Sequence, residues 1–78
     1  MEALIESIVK PLVDHPDHVT ISSEEFDAKK IYTLHVHEED MGKVIGKQGR
    51  VAKAIRSIVY AAGFNQPKRI ILEISDIK

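Results

Sequence analysis

The sequence predicts an α+β fold of order α-β-β-α-α-β, a three-stranded mixed sheet with three helices on one face. Three observations carry that expectation. Apolar residues recur at helical spacing in residues 2–13 and again in residues 50–62. They alternate with polar ones in short runs near residues 19–22, 31–37 and 69–75. About 30 residues separate the second and third runs, enough for the helical crossover that a parallel pairing requires.

The first helix carries Leu4, Ile5, Ile8, Val9 and Leu12 on one stripe, with Glu2, Glu6 and Lys10 outside it. Pro11 is expected to end or kink it near Lys10, because proline lacks an N–H and crowds the preceding turn. "DHPDH", residues 14–18, reads as a turn. Val19 and Ile21 alternate with Thr20 and Ser22 in a first strand. The link Phe26–Lys29 is so short that the second strand must return as an antiparallel hairpin. That strand sets Tyr32, Leu34 and Val36 on one face and Ile31, Thr33, His35 and His37 on the other.

"EED", Glu38–Asp40, offers Asp40 as an N-cap for a short helix from Met41 to about Ile45. The helix over residues 50–62 is expected to bury Val51, Ile55, Ile58, Val59 and Ala62, with Lys53, Arg56, Ser57 and Tyr60 opposite. Gly63 is its expected C′ residue. In the last strand Ile70, Leu72 and Ile74 face one way and Ile71, Glu73 and Ser75 the other. Each strand thus has an apolar and a mostly polar face, so the sheet should be covered on one side and wet on the other.

With 78 residues, one domain spanning residues 1–78 and one modest core are expected. Zero cysteines exclude a disulfide framework and any thiolate chemistry, which fits a reducing cytoplasmic setting. "MEALIESIVK" is acidic and interrupted, and reads as neither signal peptide nor membrane span. The formal net charge of −1 conceals a strong asymmetry. Residues 1–40 hold 10 acids and 3 bases, a net of −7, whereas residues 41–78 hold 8 bases and 2 acids, a net of +6. Lys43, Lys47, Arg50, Lys53 and Arg56 follow one another with no acid between them, so the chain can present a local positive field.

That basic run surrounds "VIGKQGR", Val44–Arg50. A glycine here could simply cap one helix in the left-handed region, and a second could serve a tight turn. Against that bland reading, Lys47 and Gln48 stand at the loop tip and a helix begins at the motif. Free N–H groups, the positive end of the helix dipole, missing Cβ atoms and flanking cations together let a phosphate backbone come close. A P-loop is absent, because Gly49 is followed by Arg50 and Val51; a Rossmann fingerprint is absent, because Val44 stands where its first glycine belongs. A helix–GxxG–helix element on a small sheet is instead the arrangement of a KH domain, whose loop clamps about four nucleotides of a single strand.

The chain resembles that family. KH domains carry V-I-G-x-x-G-x-x-I-x-x-I, which Val44, Ile45, Gly46, Gly49 and Ile55 match; Ala52 stands where a larger aliphatic is usual, so packing under the loop is expected to differ. The element order looks like the type II, prokaryotic variant. Length, "GKVIGKQGR" and "IVKPLVDHPD" together resemble the stand-alone bacterial RNA-binding proteins of the KhpA family. The resemblance implies a cytoplasmic bacterial RNA-binding or RNA-chaperone protein, not an enzyme. It also implies a homodimer and partnership with KhpB (Jag), a larger protein that contains a KH domain. By the same resemblance, Gly46–Gly49 grips the sugar-phosphate chain of single-stranded RNA, and Ile45 lines the groove for bases. Lys43, Lys47, Arg50 and Lys53 are near enough to the loop to meet phosphates, with Gln48 at the tip; a solvated helix face is the ordinary alternative.

Arg56 lies about 10 Å beyond Gly49 and is a weaker phosphate candidate; Tyr60 lies roughly 16 Å away, too far for a base at the motif. Tyr60 is a candidate anchor for a partner subunit, or a ring lying along its own helix. His35 and His37 share a strand face and His15 and His18 a turn, but no third ligand has a clear reason to join them. No metal or cofactor is therefore expected. Ser22 and Ser23 lack the strand–turn–helix context of a nucleophile. A protein-interaction adapter, docking through the acidic first half, is the rival reading, and single-stranded DNA is a third.

Overall fold

The computed structural model describes residues 1–76, and the side chains of residues 1–75. Helix α1 runs Glu2–Val9 and gives way to a single 3-10 turn at Lys10–Leu12, where Pro11 breaks the α-helical pattern. Leu12 is therefore left exposed rather than carried into the core. A second 3-10 turn, Pro16–His18, leads into strand β1, Thr20–Glu25. Strand β2 spans Lys29–Val36, and the Phe26 N–H closes the hairpin on the Lys29 carbonyl at 2.8 Å. Helix α2 spans Met41–Ile45, helix α3 Arg50–Ala62 and strand β3 Arg69–Asp76.

The sheet order is β1-β2-β3, with β1 antiparallel and β3 parallel to the central β2. The expected mixed sheet and its α-β-β-α-α-β order are thus observed. Tyr32, Leu34, Val36 and Leu72 face the helices and are buried with Ile5, Val9, Val19, Val44, Ile55 and Val59. On the opposite face, register neighbours such as Ser22, Thr33 and Glu73 meet solvent.

Helix α3 sits at a different rotation from the one its apolar stripe suggests. Ala52, Ile55 and Val59 are its buried residues, while Ile58 and Ala62 are exposed and Val51 is half-buried. The small Ala52 lets α3 lie close to the core where a larger side chain would hold it off. Gly63 extends this close contact. It ends α3 as expected, with a φ of −90°, outside the left-handed region. A Cβ there would fall 2.7 Å from Ile70 Cγ1, so α3 and β3 approach through the missing side chain.

Only one polar side chain among the described residues is deeply buried, that of Asp40. It occupies the N-cap position of α2 but makes no capping hydrogen bond. Its carboxylate instead accepts the Asp14 N–H at 3.1 Å on Oδ1 and the His15 N–H at 2.9 Å on Oδ2. The expected cap is in fact a bracket holding the α1–β1 connection against the start of α2. Without those two donors, a buried carboxylate would be strongly unfavourable.

Candidate nucleic-acid interface

The turn between α2 and α3 departs from regular helix at three of its four residues. Gly46 has φ 74°, Gln48 φ 58° and Gly49 φ 75°. The Gly46 N–H closes α2 on the Gly42 carbonyl at 2.8 Å, and the Gly49 N–H reaches the Gly46 carbonyl at 3.3 Å. The amides of Lys47 and Gln48 join neither bond and stand at the tip. Gln48 holds a left-handed conformation without being glycine, which costs about 1–2 kcal/mol. The cost is met by the helices anchored on either side of it.

The two glycines have different physical reasons. A Cβ on Gly46 would meet Val51 Cγ2 at 2.4 Å and Val51 Cβ at 2.8 Å, so this glycine lets the turn fold under α3. A Cβ on Gly49 would meet nothing within 4 Å. Gly49 is glycine for its dihedral angles and leaves its surroundings open. It also supplies no side-chain cap to the first turn of α3, leaving that end electropositive.

Lys47, Gln48, Arg50 and Lys53 are all exposed around this turn. Among the described residues, none of Lys47, Arg50 and Lys53 forms an ion pair with an acid. Ile45 closes α2 beside the turn and is 38% exposed, an apolar surface next to the cations. The structure therefore brings together seven of the eight residues singled out above.

Lys43 departs from them. Its ammonium is bonded to the Asp14 carboxylate and stands 3.9 Å from Asp40 Oδ1. The hydrogen bond to Asp14 raises its pKa above the ordinary lysine value; partial burial opposes this, and the charges of Asp14, Asp40 and Glu39 add to it. Nothing in the local sequence marks this pairing, because Asp14 is 29 residues away. Arg56 is likewise withdrawn, its Nε donating to the Leu72 carbonyl at 3.2 Å. Tyr60 Oη, one helical turn on, accepts the Leu72 N–H at 3.4 Å. The pair thus covers both peptide groups of Leu72 on the outer edge of β3, a protection that edge strands need.

The turn thus combines exposed main-chain amides, missing Cβ atoms at Gly46 and Gly49, and flanking exposed cations. No helix among the described residues is long and apolar enough to cross a membrane. A family model described as "KhpA/KhpB, KH domain" matches residues 2–74. The chain is 64% identical over 74 residues to the RNA-binding protein KhpA of Listeria monocytogenes EGD-e, covering 95% of this chain and 97% of that protein. It is 55% identical over 76 residues to the RNA-binding protein KhpA of Bacillus subtilis 168, covering 97% and 94%. Against the RNA-binding protein KhpA of Oceanobacillus iheyensis it is 55% identical over 74 residues, covering 95% and 99%. With the helix–GKQG–helix turn, the type II order and matches spanning nearly the whole chain, this protein belongs to the KhpA/KhpB KH-domain family.

Proposed function

We propose that this protein is a non-catalytic cytoplasmic module that binds single-stranded RNA, holding the sugar-phosphate chain on the Gly46–Gly49 turn. The observation that carries the reading is the open space around Gly49, flanked by Lys47, Arg50 and Lys53, none of which pairs with an acid among the described residues. Relatives named as RNA-binding proteins support it. Main-chain N–H groups at the tip receive phosphate oxygens, the three cations neutralise them, and bases lie against Ile45. Contacts of this kind position a strand without reading its sequence, so broad sequence tolerance follows. Such tolerance suits an RNA chaperone. Lys43 joins only if RNA draws it off Asp14, and it contributes less than the other three.

Filter binding of a single-stranded RNA to the wild type and to Gly49→Asp tests the reading. The variant should stay folded and lose retention, because it sets a carboxylate among the phosphates. Unchanged retention overturns it. A matched DNA oligomer in the same assay tests the preference for RNA.

The adapter reading is favoured by a separate observation. Tyr60 and the 85%-exposed Phe64 line an open groove of about 510 Å³ with Gly63, Pro67 and Ile70. Gln66, Lys68 and Arg69 also line it, and this mixed groove with an exposed aromatic suits a second copy of the chain or the KH domain of KhpB. Sedimentation of Phe64→Glu measures it: a shift toward monomer supports pairing through this groove, and an unchanged mass removes it.

A further inference from the structure

Three of the four histidines converge in the fold although the sequence separates them. His15 and His37 stack with ring centroids 4.2 Å apart, and His18 meets His37 edge-on at 4.9 Å. His35 stays apart on the outer sheet face, 3.2 Å from Ser22 Oγ through its Nε2. His37, expected on the strand face of His35, lies just beyond the end of β2 and meets the α1–β1 loop instead. Glu39 completes it. Its Oε1 lies 3.3 Å from His15 Nε2 and 3.6 Å from His37 Nδ1.

We propose that His15, His37 and Glu39 form a site for a first-row divalent ion of the zinc class. Ligand atoms held tetrahedrally at about 2.1 Å from zinc stand roughly 3.4 Å from one another. The two carboxylate–imidazole separations already match that spacing, and all three ligand atoms lie within 4.8 Å of one another. Closing the remaining gap is a movement of roughly 1.4 Å at most, within the reach of side-chain torsions. Two imidazoles and one carboxylate select zinc, cobalt, nickel or copper over magnesium or calcium, which take oxygen ligands.

The support behind the ligands is built from the main chain. Buried Asp40 accepts the His15 N–H, fixing the backbone that carries the first imidazole. Asp40 also adjoins Glu39 in the chain, so both segments bearing ligands are registered to one carboxylate. His37 Nδ1 accepts the Glu39 N–H at 3.1 Å. The ion would replace that contact, and the exposed amide would turn to water at little cost. His15 and His37 are half-buried and Glu39 exposed, which leaves a fourth position for water. A bound ion would cross-link the α1–β1 loop to the start of α2, at the end of that helix away from the GKQG turn.

Thermal melts of the metal-stripped chain with and without ZnCl2, together with visible spectra of the Co²⁺-loaded chain, test the proposal. Saturating zinc should raise Tm by about 4 °C or more, whereas MgCl2 should leave it unchanged. Cobalt should give visible bands of tetrahedral intensity. Both signals should vanish in the double variant His37→Asn with Glu39→Gln and persist in His35→Asn. The single Glu39→Gln change, at an exposed position, keeps the test available if the double variant folds poorly. A wild type that shows neither signal overturns the proposal. So does a zinc shift that survives in the Glu39→Gln or double variant.

Discussion

Gly46 and Val51 pack so closely that a methyl group on Gly46 would fall 2.4 Å from Val51 Cγ2, whereas Gly49, three residues on, faces open space. The two glycines of one motif therefore answer to different constraints, and mutation should separate them. Gly46→Ala combines a forbidden φ with a clash and should destabilise the fold by at least about 1–3 kcal/mol. Gly49→Asp, at an angle that aspartate tolerates, should lose about 1 kcal/mol. Urea denaturation measures both. Equal losses would mean that Gly49 is also a packing residue.

Salt dependence should report how many cations meet the strand. With Lys47, Arg50 and Lys53 each neutralising one phosphate, log affinity for single-stranded RNA should fall with log salt at a slope of roughly −2. Lys47→Ala should reduce the steepness by about 0.7. Lys43→Ala should change it little, since Asp14 and Asp40 already hold that ammonium. A fall of similar size for Lys43→Ala would show that RNA displaces the acids.

Acid should act on the fold through Asp40. Burial alone would raise its pKa, but the Asp14 and His15 amides, with the nearby charges of His15 and Lys43, bring it below the ordinary 3.8. The ionised form therefore stabilises the native state at pH above the unfolded value. That contribution declines below about pH 3.8 and is lost as pH falls through the lower folded value. Asp40→Asn should lower Tm at neutral pH, because an amide cannot accept both N–H groups, and should flatten the acid limb of a Tm-against-pH curve. An acid limb identical to wild type would place the titration elsewhere.

The edge of β3 should depend on α3. Tyr60→Phe removes the acceptor of the Leu72 N–H and should cost about 1 kcal/mol, with faster hydrogen exchange at that amide. Exchange unaffected by the substitution would mean that water already serves Leu72.

Much of this architecture is written locally. Strand alternation sets Tyr32, Leu34 and Val36 on one face whatever the rest of the chain does. Pro11 ends the first helix because of its own ring, and GKQG breaks the path between α2 and α3 through dihedral angles confined to those residues. Helical periodicity nevertheless could not say which edge of α3 meets the core. Ile58 lies outside and Ala52 inside because the core packs along the Ala52–Ile55–Val59 edge of α3, and contacts from the sheet and the other helices set that rotation.

The amino-acid order by itself determined the element sequence, the sheet's two-faced character and the position of the exposed glycine turn. All three follow from interactions within a few residues. Only the tertiary structure decided the partners of Asp40, Lys43 and His37. Asp14 lies 26 residues from Asp40 and 29 from Lys43, and no local rule assigns such pairs. They meet because β1 and β2 run antiparallel, which returns the start of α2 to the loop following α1. That return ties Lys43 to Asp14, away from the free cations of the glycine turn, and gathers three imidazoles near the same loop.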